Sequence, residues 1–178
     1  DPFDNQGLNY AMIKSLAAWA EAEAKANGCY FDYTNDDNPA NDTDPTKRVV
    51  LKDKTLGTSE TPKVCFAEYG WPKDAEGNYT TFQPDSNIRF EGTNNTGAGL
   101  LVVSGGLEVY ETHKLTYRGI IISQGPRGEY EVSGTATVNG AIIVATTDPY
   151  REGKGKAQWW KPDLEPSGDS GNPMRSGE

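Results

Sequence analysis

Apolar residues between Gly99 and Ala145 gather in three short runs. These are Gly99-Leu100-Leu101-Val102-Val103, Gly119-Ile120-Ile121-Ile122-Ser123 and Gly140-Ala141-Ile142-Ile143-Val144. Their glycines stand 20 and 21 residues apart. Two weaker strand-like segments separate successive runs. One pair, 107–110 and 130–133, alternates apolar with polar; the other, 115–118 and 136–139, leads into the next glycine. A period near twenty with turn residues between short strands predicts stacked repeats.

The fold class this implies is mainly β with one long N-terminal α-helix. The β part reads as a short β-solenoid of about three coils, three strands per coil, with the helix packed on one sheet. Stacking superposes Leu100, Ile120 and Ala141, then Val102, Ile122 and Ile143. It also sets Leu107 over Tyr130, Val109 over Val132, Leu115 over Ala136 and Tyr117 over Val138. These positions read as inward. Glu108 and Glu131 alternate with them and are expected to face water. A meander of antiparallel strands is the competing architecture, since turn signals every 8–12 residues also suit a sandwich.

The first strand of each repeat is apolar on both faces, so both faces should be covered. Leu101, Ile121 and Ile142 are expected to point outward, beneath the helix. That helix is predicted from Leu8 to Asn27, capped by Asp4 or Asn5 and stopped by Gly28. Leu8, Met12, Leu16 and Trp19 form its stripe, with Ile13 and Ala20 beside them. The chain reads as one domain in four segments: the helix over 1–28, a cysteine-containing irregular and β segment over 29–86, coils over 87–147 and an irregular tail over 148–178. Short strands are expected at 49–51, 64–66 and 88–91.

Charge narrows the function. The chain has 178 residues and a formal net charge of −9. That balance disfavours general binding to nucleic acid or an anionic membrane, which needs concentrated Lys and Arg. No apolar run reaches the length of a membrane span. Cys29 and Cys65 are the only cysteines. In an exported chain they are expected to form a disulfide, worth roughly 3–4 kcal/mol on the chain-entropy argument. Buried free thiols are the alternative.

Four candidate chemistries follow. The acidic loop 32–45 offers Asp36, Asp37, Asp42 and Asp44 as calcium ligands, and Glu108 with Glu131 offers two more carboxylates. The loop lacks the ligand order and distal Glu of an EF-hand, so a solvated surface loop is preferred and no cofactor is required. The stacked pair Glu108 and Glu131 could also serve glycoside hydrolysis; a structural ladder with Arg89 is preferred. Gly168-Asp169-Ser170-Gly171 resembles a serine-protease nucleophile motif, but only eight residues follow Ser170. His113, the only histidine, sits in a turn and reads as solvent-exposed, so no triad forms. Tyr150, Trp159 and Trp160 could present a ligand or partner surface, or cap the open end of the stack.

The runs 97–107, 115–122 and 138–144 resemble the coil region of PilX-like type IV pilus assembly proteins, where glycine-led apolar runs alternate with aromatic-x-Gly-apolar segments. The Ala-rich helix ending in glycine is also similar. The resemblance covers roughly a third of the chain; glycine-phased apolar runs also occur in other solenoids, bactofilin-like ones among them. It implies a non-enzymatic, extracellular or cell-surface structural module of a pilus-like assembly, without its membrane anchor. Its partners would be other pilin-like subunits or surface proteins, and this portion would not contact the membrane. The alternatives are a glycan- or DNA-binding adhesin or uptake module, and a small polysaccharide-active enzyme.

Overall fold

A computed structural model describes residues 10–38, 48–69, 75, 87–125 and 130–146. Helix α1 (Tyr10–Asn27) comes first. The strands are β1 (Tyr30–Phe31), β2 (Val49–Lys52), β3 (Thr55–Leu56), β4 (Lys63–Glu68), β5 (Asn87–Glu91), β6 (Asn95–Ser104), β7 (Gly106–Val109), β8 (Lys114–Gly125), β9 (Tyr130–Val132) and β10 (Thr135–Thr146). Val, Ile and Thr dominate the long strands, as suits a pleated, packed surface.

The expected β-solenoid with three strands per coil is not what the chain builds. Its strands form two parallel sheets, one ordered β1-β4-β6-β8-β10 with β3 also on β6, the other ordered β2-β5-β7-β9. The antiparallel meander is excluded too, since every described pairing is parallel. The segments read as a third strand and the next first strand are one continuous strand. In β8, residues 115–118 run straight into Gly119 and on to Gly125. The helix, expected to be long, spans 18 residues and is described from Tyr10; Leu8 and its capping residues lie outside the described range.

Continuity of β8 decides which way side chains point. Side chains alternate along a strand, so Leu115, Tyr117, Gly119 and Ile121 share one face. That face turns inward. Leu101, Ile121, Leu107, Val109, Leu115 and Tyr117 all lie in the core between the sheets, with Ile142 packed against it. The expected outward placement of Leu101, Ile121 and Ile142 is therefore inverted. A corner at the glycine would have reset the alternation, and the chain makes no corner there. The in-register stacking itself is as the spacing implied, with Gly99, Gly119 and Gly140 aligned.

The helix packs on the opposite face of the larger sheet. Ile13, Ala17, Ala20 and Ala24 are buried there against Phe66, Val102, Ile122 and Ala145. Met12 and Trp19, expected in the stripe, are each 51% exposed. Alanines let the helix axis approach the sheet closely, and the larger residues are left at the rim. Gly28, at φ 71°, ends the helix, and the Cys29 amide returns to the Ala24 carbonyl at 2.9 Å. Cys29 is bonded to Cys65 in β4, which fixes the helix end to the sheet.

At the aligned glycines the backbone is left-handed, with φ of 114°, 137° and 153° at Gly99, Gly119 and Gly140. A Cβ on Gly119 would strike the carbonyl oxygen of Gly99, and one on Gly140 that of Gly119. Two constraints, torsion and space, therefore select glycine in each repeat. Asn95, buried at 2% exposure, ties the repeats at the next corner. Its Oδ1 accepts from the Lys54 amide at 3.0 Å, and its Nδ2 donates to the carbonyls of Glu91 at 2.6 Å and Lys114 at 3.0 Å.

Candidate functional site

The outward side of the larger sheet carries a row of hydroxyls. Thr55, Thr96, Thr116 and Thr137 are neighbours in register across β3, β6, β8 and β10, and all four are exposed. Adjacent strands in a sheet lie about 4.8 Å apart, which sets the spacing of the row. Residues 57–62 separate β3 from β4, which both pair with β6, and stand beside this row. Gly57 turns the chain at φ 86°. The Thr61 amide then donates to Thr58 Oγ1 at 3.1 Å, which closes the loop. Arg118 Nη1 reaches Ser59 Oγ at 3.4 Å.

Between loop and sheet lies an open groove of about 480 Å³, lined by Glu60, Thr96, Thr116, Arg118, Thr137 and Asn139 among others. Hydroxyl and carboxamide groups both donate and accept hydrogen bonds. With one cation and one carboxylate beside them, they suit a polar, polyhydroxylated ligand. The floor is held by Tyr117, whose ring fills the space left by the missing side chain of Gly97. Its hydroxyl is buried, has no hydrogen-bond partner among the described residues, and is held well above the usual phenol range by that burial.

The two ends of the stack differ. At the β2 end, the acidic loop closes the sheet edge. Asp36 Oδ2 accepts from the Val50 amide at 3.1 Å, and Asp37 Oδ2 from the Lys52 amide at 2.8 Å. The Asp37 amide donates to the Val50 carbonyl at 2.9 Å, and Lys54 Nζ sits 2.9 Å from Asp37 Oδ1. These two carboxylates are strand-edge caps, where the sequence suggests a solvated loop or calcium. At the other end β10 pairs only with β8 among the described residues. Its twelve residues contain no charged side chain and no proline.

No family model, curated protein or solved structure matches this chain.

The remaining candidates fall as follows. Glu108, expected to face water, is buried at 4% exposure. Arg89 grips it with two hydrogen bonds, and Arg48 Nη1 lies 3.6 Å from its Oε2. The Arg89–Glu108 part of the expected ladder is present. Glu131 stands in register with Glu108 but is exposed. His113 is not the exposed turn residue expected. It is half-buried, and its Nδ1 accepts from the Gly92 amide at 3.0 Å, which links successive repeats. No cluster of three or more His, Cys, Asp or Glu is placed to hold a metal among the described residues. Asp42, Asp44, Tyr150, Trp159, Trp160 and Ser170 lie outside them.

The threonine row escapes a reading of the sequence, although its signal is present. Thr96, Thr116 and Thr137 each stand three residues before a phased glycine. Loop 57–62 carries no comparable signal, because its position depends on β3 and β4 sharing β6.

Proposed function

We propose that this chain is a non-enzymatic, exported structural module of a surface assembly of the type IV pilus kind, in contact with other subunits. The observation that carries the reading is the polarity of the stack. One end carries β1 on β4, with the Cys29–Cys65 bond beside it, and the Asp36 and Asp37 caps on β2. Among the described residues the other ends on a long, uncharged strand, the form of surface that adjoins another chain. The Cys29–Cys65 bond supports an oxidising compartment. No described helix is long and apolar enough to cross a membrane. The resemblance to PilX-like proteins supplies the kind of assembly.

Immunogold labelling of intact source cells with an antibody to this chain tests the proposal, together with shearing of surface filaments. Label on filaments and recovery in the sheared fraction are expected. A chain found only inside the cell, with both thiols reduced, would overturn it.

A second reading, a glycan-binding surface module, is favoured by the threonine-lined groove. Binding on a glycan array that is lost in Thr116→Val would support it. Equal binding by the wild type and the variant would remove the groove from consideration. The net charge of −9 weighs against the DNA-binding version of this reading.

A further inference from the structure

We propose that the outer edge of β10 docks one parallel strand of a separate polypeptide, and that Gly140 selects a strand with glycine in its own register. The proposal rests on the reading of the chain as an assembly module and names the kind of partner.

β10 is bonded to β8 on one side, and no strand occupies the other among the described residues. Alternate residues of a strand turn their N–H and C=O groups to opposite edges. About half of β10 therefore offers a ladder of donors and acceptors to an incoming chain. Edge strands are normally blunted by charge, proline or shortness. β10 has none of these over its twelve residues, whereas the opposite end of the molecule is capped by carboxylates on backbone amides. The chain carries a net charge of −9 and places none of it on this strand. An uncharged partner strand meets no like charge there, and an acidic one gains no cation.

The glycines define the partner further. Each aligned glycine leaves room for the carbonyl of its neighbour in the preceding repeat. A strand that continues the stack over the full length of β10 meets the same condition at Gly140. It therefore requires glycine at that position. Two residues to either side, Val138 and Ile142 pack against the core, so the partner's residues there should be apolar or small. The pattern is small or apolar, any, Gly, any, apolar. A second folded copy does not present it. In that register its closed end carries Lys63, and β1 already pairs with the outer side of β4.

The test uses the full chain. Hydrogen–deuterium exchange on the free protein comes first, followed by fluorescence anisotropy with a labelled peptide of sequence NTGAGLLVVS, the uncharged β6 segment 95–104, and its G99V version. Faster exchange in β10 than in β8, and saturable binding of the glycine peptide, are expected. Binding should weaken roughly tenfold or more for the G99V peptide, from overpacking. A similar loss is expected for the protein variant Ala141→Lys, with Asn139→Lys as a second variant should the first fail to fold. Four results would each overturn the proposal: β10 amides as protected as those of β8, which would mean the chain covers its own edge; no saturable binding; equal binding of the two peptides; or indifference to the edge lysines. Failure here with filament labelling intact removes the docking site and leaves the assembly reading. Peptide binding by a chain found only inside the cell removes the assembly reading alone.

Discussion

Arg89 holds Glu108 across the β5–β7 register, with Nη2 3.2 Å from Oε1 and Nε 3.3 Å from Oε2. The same guanidinium lies over the Tyr110 ring, 4.8 Å from its centre. The carboxylate is almost wholly buried, while the arginine side chain keeps 21% of its exposure. Glu108→Ala should therefore destabilise by about 1–3 kcal/mol, the range for stranding a hydrogen-bonded charged partner. Partial access to water keeps it below the cost for a fully buried pair. Glu131→Ala, at an exposed site in the same register, should change stability by about 0.5 kcal/mol or less. Urea melts of the two variants compare them directly.

Gly119 and Gly28 both have positive φ, at 137° and 71°, but differ in their surroundings. Nothing lies within 4 Å of a Cβ placed on Gly28. Gly28→Ala should cost about 1–2 kcal/mol, from torsion alone. Gly119→Val adds a collision with a backbone carbonyl held by strands on both sides, and should cost at least ~3 kcal/mol. Equal small losses in chemical denaturation would show that the aligned glycines are not constrained by their neighbours.

Reduction of Cys29–Cys65 reopens a loop of 36 residues. The chain-entropy argument puts the loss near 3–4 kcal/mol. Because the bond joins the end of α1 to β4, hydrogen exchange should rise first in the helix. Denaturation midpoints with and without reductant, read alongside exchange, check both statements.

Three tyrosines predict alkaline sensitivity. Burial pushes the Tyr130 hydroxyl from 10.0 up to about 12. Burial alone raises Tyr117, and burial followed by a hydrogen bond to Glu68 raises Tyr30. The folded chain thus keeps protons that the unfolded chain releases above pH 10. Their contribution is complete below that pH and falls as pH rises towards 12 and beyond. Stability measured across that window should decline, and Tyr130→Phe should flatten the decline. A phenolate difference spectrum identifies the groups that ionise.

Much of the register is legible in the sequence, because the glycine phase repeats and each repeat needs the same torsion at the same place. The disulfide is legible as well. What the sequence hides, it hides for physical reasons. Gly119 reads as a corner, yet it carries a left-handed torsion inside a continuous strand, and the alternation passes through it unbroken. Trp19 looks like part of an apolar stripe, but small side chains at Ala17, Ala20 and Ala24 make the closer contact. Glu108 looks like a surface residue because alternation with Leu107 and Val109 sets it outward; Arg89 is legible as its partner, but Arg48, which also covers it, is not. The bonds from the Val50 and Lys52 amides to Asp36 and Asp37 are hidden because no side-chain pattern reveals a backbone partner. The groove stays hidden because a loop forms one of its walls.

Successive repeats do not spend their residues alike. From Gly99 to Leu107 the chain takes eight steps, and from Gly119 to its counterpart Tyr130 eleven; the return to the next aligned glycine takes twelve and then ten. Length has drifted only between the paired segments, which have absorbed none of it. An inserted residue in a bend is therefore a local matter, whereas one placed within β8 would turn half the strand inside out. For grafting foreign loops or lengthening the molecule, the bends are the permissive sites, and the unit of extension is a whole repeat.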